Sequence, residues 1–183
     1  MVEIGKQYAK ALFDVAVKRD RLDECRVNLE KLIGYFDEVE ELWPFMLDYS
    51  INKEDKKKVV SVALGDSFGE IFLNFIKVLI DRNAIKFLPD IEKDYNKLYN
   101  EHCDIIELKV TSALALQEEE LRAIEDRYKE KFLGFSIKIV NIVDRSIIGG
   151  LRIEYRDRVV DATLKTKLMK LKEHIVSNEV VVE

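Results

Sequence analysis

The segment "IVDRSIIGGLRIEYRDRVVDATLKTKL", residues 142–168, brings several local structures together in a short space. It contains the end of an apolar strand, the pair Gly149-Gly150, a hairpin pattern around Arg156-Asp157, and the start of a helix. It offers no nucleophile, no metal ligands and no phosphate-binding loop. Because the glycine pair precedes a strand rather than a helix, we interpret it as a bulge or a close crossing of two backbones.

The sequence on either side of this segment predicts a small α+β domain. Upstream, "IIELKVTSAL" and "FSIKIVNIV" have the apolar runs and alternation of strands, and "QEEELRAIEDRYKEKF" between them predicts a helix. Four residues of that helix share one face: Leu121, Ile124, Tyr128 and Phe132. The last helix carries a narrow apolar stripe, which we expect to face the core: Leu164, Leu168, Leu171 and Ile175.

The first half of the chain has a different, purely helical periodicity. Only 7 glycines and 2 prolines occur in 183 residues, which favours long helices with few breaks. Six amphipathic helices are predicted: Ile4–Arg19, Leu22–Phe36, Val39–Leu47, Lys53–Leu64, Phe68–Arg82 and Pro89–His102. The predicted fold is therefore mainly α, with a six-helix bundle over residues 1–104 and the α+β domain over residues 105–183.

Composition restricts the partners and the compartment. Charged residues make up 36% of the chain, with 30 basic and 35 acidic side chains, so no basic field is present to hold nucleic acid. The acidic excess falls in residues 1–104, which should favour basic partners there. Cys25 and Cys103 lack metal-ligand spacing and fit reduced cysteines of an intracellular protein. No run is long enough to span a bilayer, so we expect membrane association only through partners.

Catalytic, cofactor and metal sites are not predicted. His102 and His174 are the only histidines, and they lie far apart in the sequence without a cluster of ligands. The carboxylates alternate with Lys and Arg on helical faces, as solvated ion-pairing surfaces do. "GDSFG" at residues 65–69 lacks the lysine and the preceding strand of a phosphate loop.

The first and fifth helices carry more apolar surface than a core needs. In the first helix, Ile4, Tyr8, Ala11, Leu12 and Val15 form a stripe that we expect to be core, and Gly5, Ala9, Phe13 and Ala16 form a second stripe beside it. The fifth helix is apolar almost all round, which fits either a fully buried helix or a groove shared with the first helix. The candidate lining of that groove is Gly5, Ala9, Leu12, Phe13, Ala16, Phe72, Ile76, Leu79 and Ile80.

Three segments resemble one known family. "YAKALFDVA" at residues 8–16, "FLNFIKVLIDRNAIKFLPDI" at residues 72–91, and the segment quoted first resemble, in that order, the delta subunit family of F-type ATP synthases, which includes the mitochondrial oligomycin-sensitivity-conferring protein. The structural signature of that family is matched by Asp144, Gly149, Gly150 and Asp161. The chain departs from it at Arg156-Asp157, where the family more often has Gly-Asp, and at Ala162-Thr163, where it more often has Gly-Ser.

The resemblance implies a non-catalytic stator subunit of the peripheral stalk. It implies that residues 1–104 bind the N-terminal helix of an ATP synthase alpha subunit in a groove bordered by the first and fifth helices. The remaining residues would bind the stalk's b subunits. Because the chain opens on a helix without a transit peptide, we expect a bacterial protein on the cytoplasmic face of the plasma membrane. The alternatives are an unrelated helical adaptor that binds an amphipathic helix and a carboxylate-based hydrolase.

Overall fold

A computed structural model describes the backbone of residues 2–179 and the side chains of residues 4–65 and 68–172. The described chain begins with six helices: α1 (Val2–Lys18), α2 (Leu22–Glu38), α3 (Leu42–Leu47), α4 (Lys53–Leu64), α5 (Gly69–Asp81) and α6 (Leu88–His102). Two short 3₁₀ turns, Gly65–Phe68 and Ile85–Phe87, lie on either side of α5. The predicted fold class is confirmed, and each predicted helix of the first half is present.

Local signals in the sequence explain several helix ends. The side chain of Asn52 accepts a hydrogen bond of 3.1 Å from the amide of Glu54 and so caps the N-terminus of α4. Asn83 has a φ of 52° just after α5, a left-handed conformation that asparagine tolerates better than most residues. Gln117 and Glu120 form a capping box that starts a later helix, α7 (Glu118–Lys131).

Polar side chains join the helices of the bundle at buried positions. Lys56 of α4 is buried, and its ammonium donates to the carbonyl oxygens of Met46 and Asp48 at 2.9 and 2.6 Å, which satisfies the C-terminal end of α3. Asn28 of α2 is also buried and donates to the carbonyl of Phe68 at 2.8 Å. These buried hydrogen bonds help to fix the positions of the connected segments relative to one another.

The second half forms a four-stranded sheet of strands β1 (Ile105–Ser112), β2 (Ser136–Val143), β3 (Leu151–Tyr155) and β4 (Arg158–Asp161). The strand order is β2-β1-β3-β4, with β1 and β2 parallel and the other two pairs antiparallel. Helix α7 forms the crossover that a parallel pair needs, and α8 (Leu164–Glu179) follows β4.

One face of the sheet carries the core of this half. Alternate residues of β1, namely Ile106, Leu108 and Val110, are buried with Tyr128 of α7 and Tyr155 of β3. The opposite face is mixed, because Glu107 and Lys138 approach within 3.7 Å across the two strands while Val140 and Ile142 of β2 are half-buried on the same side. We call the face that carries the buried cluster the covered face of the sheet.

The chain divides into two compact units, residues 1–99 and 100–183. The sequence predicts the division after residue 104, whereas the structure groups the last turn of α6 with the second unit. No Gly/Pro linker separates the units, since α6 ends at His102 and β1 begins at Ile105. We call residues 1–99 the helical unit and residues 100–183 the sheet unit.

Candidate partner-binding surfaces

The residues predicted to line a partner groove lie inside the helical unit. Ala9, Ala16 and Leu79 are fully buried, and Gly5 and Phe13 are buried or half-buried. The remaining members of the set are all no more than 3% exposed: Leu12, Phe72, Ile76 and Ile80. In this structure a partner helix cannot touch these side chains without entering the core. These residues are therefore core in the chain without a partner, and their contact with a partner helix stays a prediction.

The small residues of α1 allow close packing within the bundle. A Cβ atom on Gly5 would lie 3.0 Å from the Cβ of Asp90 on α6, so the two helices approach closely at this point. About two turns further along the helix, the ring of Phe13 packs edge-on against that of Tyr95 on α6, with ring centroids 5.7 Å apart. At Gly5 and Phe13, α1 therefore packs against α6 of the same chain.

Of the five residues of α1 expected to be core, only Leu12 is buried, and the other four are exposed or half-buried. Ile4 and Val15 are 42% and 44% exposed, Ala11 is exposed and Tyr8 is half-buried. These four residues lie within one narrow sector of the helix, next to the buried sector. We call Ile4, Tyr8, Ala11 and Val15 the outer stripe of α1. The sequence correctly predicts two adjacent apolar stripes, but the core contains the small-residue stripe and Leu12 rather than the whole stripe expected to be core.

Helix α5 has a similar second stripe. Phe72, Ile76, Leu79 and Ile80 are buried, whereas Val78 is exposed and Ile71 and Phe75 are half-buried. The spacing of residues 71, 75 and 78 places them on one side of the buried sector. We call these three residues the outer stripe of α5. Both helices for which the sequence shows an apolar excess therefore retain accessible apolar surface.

The apolar stripe of α8 also lies outside rather than in the core. Leu164, Leu168 and Leu171 are 46%, 59% and 59% exposed, and none of them belongs to the buried cluster of the sheet unit. The expectation that this stripe is core is wrong, because the buried cluster is built from β1, Tyr128 of α7 and Tyr155 without these leucines. Ile175, the fourth predicted member, lies beyond the described side chains.

The glycine pair fixes the start of α8. Gly150 has a φ of 85°, which side chains disfavour, and a Cβ there would lie only 2.5 Å from the carbonyl oxygen of Ala162. Both the backbone conformation and the close contact therefore require glycine. The carbonyl of Gly149 accepts a hydrogen bond of 2.9 Å from the amide of Leu164. The close backbone crossing is thus a contact between the residues before β3 and the first residues of α8.

Two aspartates of the structural signature hold turns. Asp144 accepts from the Ser146 amide at 2.9 Å, and hydrogen bonds from the Ser146 hydroxyl and then its amide lower the pKa of the Asp144 carboxyl group. Asp161 accepts from the Thr163 amide and the Thr166 hydroxyl, each at 2.9 Å, and the same bonds lower its pKa. Thr163 in turn accepts from the Thr166 amide at 3.3 Å and caps α8.

The sheet unit also contains a cleft of about 710 Å³ between α7 and the strands β3 and β4. Its lining is mixed apolar and basic, with Glu130 as the carboxylate: Ala123, Ile124, Arg127, Tyr128, Glu130, Lys131, Leu151, Ile153, Val160 and Ala162. The Lys131 ammonium donates to the Tyr155 hydroxyl at 2.9 Å.

Several titratable groups among the described residues have pKa values shifted by their surroundings. Burial raises the pKa of the Cys25 thiol to about 11, so little thiolate forms at neutral pH. The carboxyl groups with a resolved shift, Asp48, Asp144 and Asp161, all have lowered pKa values, which is the opposite of what a general acid needs. Among the described residues, no group of His, Cys, Asp and Glu has the arrangement of a metal site.

Comparison with known proteins identifies the family. The family described as ATP synthase delta (OSCP) subunit matches residues 4–175. The chain belongs to this family. The ATP synthase subunit delta of Caldanaerobacter subterraneus subsp. tengcongensis is 33% identical over 168 residues, covering 92% of this chain and 93% of that protein. That of Acetivibrio thermocellus is 29% identical over 170 residues, covering 93% and 96%.

Solved structures agree on the fold of both units. A chain of the Toxoplasma gondii mitochondrial ATP synthase hexamer matches with a TM-score of 0.76 over 94% of this chain and 97% of that chain, at 16% identity. The family match and the curated relatives confirm the predicted family and the predicted role as the delta subunit of ATP synthase, and this structure agrees on the fold. None of the helices in the described part of the chain is both long and apolar enough to cross a bilayer.

The departures from the delta (OSCP) pattern have visible structural consequences. Arg156 sits in the turn between β3 and β4 with a φ of 51°, where the family more often has glycine. Its guanidinium lies 5.1 Å from the ring centroid of Phe135, a cation–π contact that offsets part of the backbone strain. At the second departure, Thr163 replaces the more usual serine and keeps the hydroxyl that caps α8.

Proposed function

We propose that this member of the delta (OSCP) family is a non-catalytic connector whose two units hold different partners. The observation that carries the proposal is that each unit leaves an apolar helix stripe unburied, on α1 and α5 in one and on α8 in the other. Leaving large apolar side chains in water forgoes about 25 cal/mol for each Å² that could be buried. Surfaces of this kind are typical of protein interfaces.

The helical unit binds the N-terminal helix of an alpha subunit of the catalytic head. The outer stripes of α1 and α5 contact the apolar face of that helix. The buried residues that the sequence predicts as groove lining lie behind these stripes in the core. An amphipathic helix in an apolar groove is a common recognition mode. The acidic excess of the first half of the chain favours a helix with basic residues on its flanks.

The sheet unit binds the b subunits of the peripheral stalk, and α8 and the adjacent cleft are its candidate surfaces. A connector must grip head and stalk through separate surfaces to resist the torque of the rotor. The chain then reaches the membrane only through the complex, on the cytoplasmic face of the bacterial plasma membrane. No cofactor or metal is required for this role.

The test replaces one exposed valine of α1. Val15→Glu puts a charge in the outer stripe, whereas Val17→Glu puts the same charge at a site of similar exposure on another face of the same helix. By calorimetry with the alpha N-terminal peptide, we expect Val15→Glu to weaken binding by about tenfold or more and Val17→Glu by less than about twofold. Binding of the soluble part of b should not change in either variant.

Two results would contradict this assignment. Equal losses in Val15→Glu and Val17→Glu would remove the outer stripe from the binding site. Hydrolysis of ATP by the isolated wild-type chain would refute the non-catalytic role. The connector role predicts instead that ATP synthase lacking this chain still hydrolyses ATP but no longer couples hydrolysis to proton pumping.

A further inference from the structure

The first half of α8 combines two features that the proposed connector role does not by itself explain. The first is the exposed leucine stripe, in which Leu164, Leu168 and Leu171 are spaced by four and then three residues. This is the spacing of alternating d and a positions in a heptad repeat, and Ile175 continues it in the sequence. Such a seam is the surface on which a second helix packs in a coiled coil.

The second feature is the charge beside that seam. With Leu168 at an a position, the flanking e and g positions of the described residues are Lys165, Lys167 and Lys172, and the next flanking position in the sequence is His174. None of these three lysines forms a salt bridge with any side chain that the structure describes. Lysines without a salt bridge among the described residues therefore flank the seam, Lys165 and Lys172 on one side and Lys167 on the other.

The start of this helix is held firmly, so the seam has a defined position on the sheet unit. The Leu164 amide donates to Gly149, Asp161 and Thr163 cap the first turn, and Thr163 is buried. A partner helix therefore loses little free energy in ordering the first turns of α8 when it binds.

We propose that α8 forms a short two-helix coiled coil with a partner helix that has apolar residues at a and d and carboxylates at e and g. Carboxylates on both flanks of the partner face lysines whether the helices run parallel or antiparallel. A second copy of this chain is disfavoured as the partner, because it would set lysines against lysines on both flanks. The inference rests on the proposed attachment of the sheet unit to stalk helices, and it names the surface and the pairing chemistry.

The experiment uses the full-length chain and two designed helical peptides with the same leucine seam. One peptide has glutamate and the other lysine at every e and g position, and binding is measured by calorimetry at low and high salt. We expect the acidic peptide to bind at least about tenfold more tightly than the basic one, and the difference to shrink as salt screens the charges.

Matched variants locate the binding to the seam. Leu168→Gln, in the seam, should weaken binding of the acidic peptide by about tenfold, and Met169→Gln, at a neighbouring position of similar exposure outside it, by less than about twofold. The triple change Lys165→Glu, Lys167→Glu and Lys172→Glu should reverse the preference between the two peptides. Because all of these side chains are exposed, the variants should fold, which circular dichroism checks.

Equal binding of the two peptides, equal effects of the two glutamine variants, or self-association of the chain through the seam would overturn the inference. Its failure is distinguishable from failure of the proposed function. If the soluble part of b binds the wild-type chain and Leu168→Gln equally well, the coiled coil is refuted and the connector role stands. If the acidic peptide binds the seam while b does not bind the wild-type chain, the stalk attachment is refuted instead.

Discussion

The helical unit and the sheet unit differ in how much of the apolar surface of their amphipathic helices they bury. In the helical unit, the small-residue stripe of α1 meets α6 and becomes core, and a second apolar stripe remains outside. In the sheet unit, α8 leaves its main apolar stripe outside, and none of its leucines joins the buried cluster on the sheet. A similar sequence pattern can therefore produce core in one unit and exposed surface in the other. What decides the outcome is whether another element of the same unit packs against the apolar stripe.

The largest effect is expected for a charge in the buried stripe of α1. Ala9 is fully buried, so Ala9→Glu must either bury a carboxylate or open the bundle, at a cost of several kcal/mol, about 3–5. Ala11→Glu places the same group at an exposed alanine two residues along and should cost less than about 0.5 kcal/mol. Urea unfolding followed by circular dichroism measures both. Equal stability of the two variants would mean that the stripes are assigned wrongly.

The second-largest effect is expected at Gly150, where the backbone before β3 contacts the start of α8. Gly150 and Gly134 have nearly the same φ, 85° and 87°, but an added Cβ meets the Ala162 carbonyl only at Gly150 and nothing within 4 Å at Gly134. Gly134→Ala should therefore cost about 1 kcal/mol from backbone strain alone. Gly150→Ala should cost about 2–4 kcal/mol, because the clash adds to the strain.

Thermal unfolding of the two variants, each compared with the wild-type chain, isolates the contribution of the close crossing. Gly150→Ala should also lower binding of the acidic coiled-coil peptide, since it displaces the first turn of α8. Indistinguishable melting temperatures for the two variants would show that the approach of Gly150 to Ala162 is not a tight contact in solution.

These cases show what the sequence could predict. Periodicity and capping residues were sufficient for the helices and strands, since Asn52, Asn83 and the Arg156-Asp157 turn act locally. The side of α1 that faces inward depends on the approach of Gly5 to Asp90, two residues far apart in the chain. The buried ammonium of Lys56 was missed for the same reason, because its carbonyl partners belong to another helix. Local patterns cannot distinguish such tertiary choices.

A smaller effect is expected from the titration of Asp161. Hydrogen bonds, first from Thr163 and then from Thr166, lower the pKa of this carboxyl group in the folded chain. Its contribution to stability is therefore fully present above the ordinary aspartate pKa, about 3.9, and is lost as the pH falls through the lower folded value. Asp161→Asn should reduce the loss of stability on acidification, measured by urea unfolding at a series of pH values.

The control is Asp157→Asn, which removes the same charge from the same hairpin and leaves the first turn of α8 intact. It should leave the acid-induced loss of stability close to that of the wild-type chain. An NMR titration in which the folded Asp161 carboxyl group shows no lowered pKa would contradict the assigned hydrogen bonds.

The smallest effect concerns the exposed seam and bears directly on the difference between the two units. Leu171 is 59% exposed and lies outside the buried cluster, so Leu171→Gln should change the free energy of unfolding by less than about 0.5 kcal/mol. Leu108→Gln in β1, at a fully buried position, should cost about 2–4 kcal/mol because it buries a polar amide. Both are measured by urea unfolding of the full chain. A large loss in Leu171→Gln would mean that α8 packs on its own unit in solution, and the seam would then be core rather than a surface for a partner.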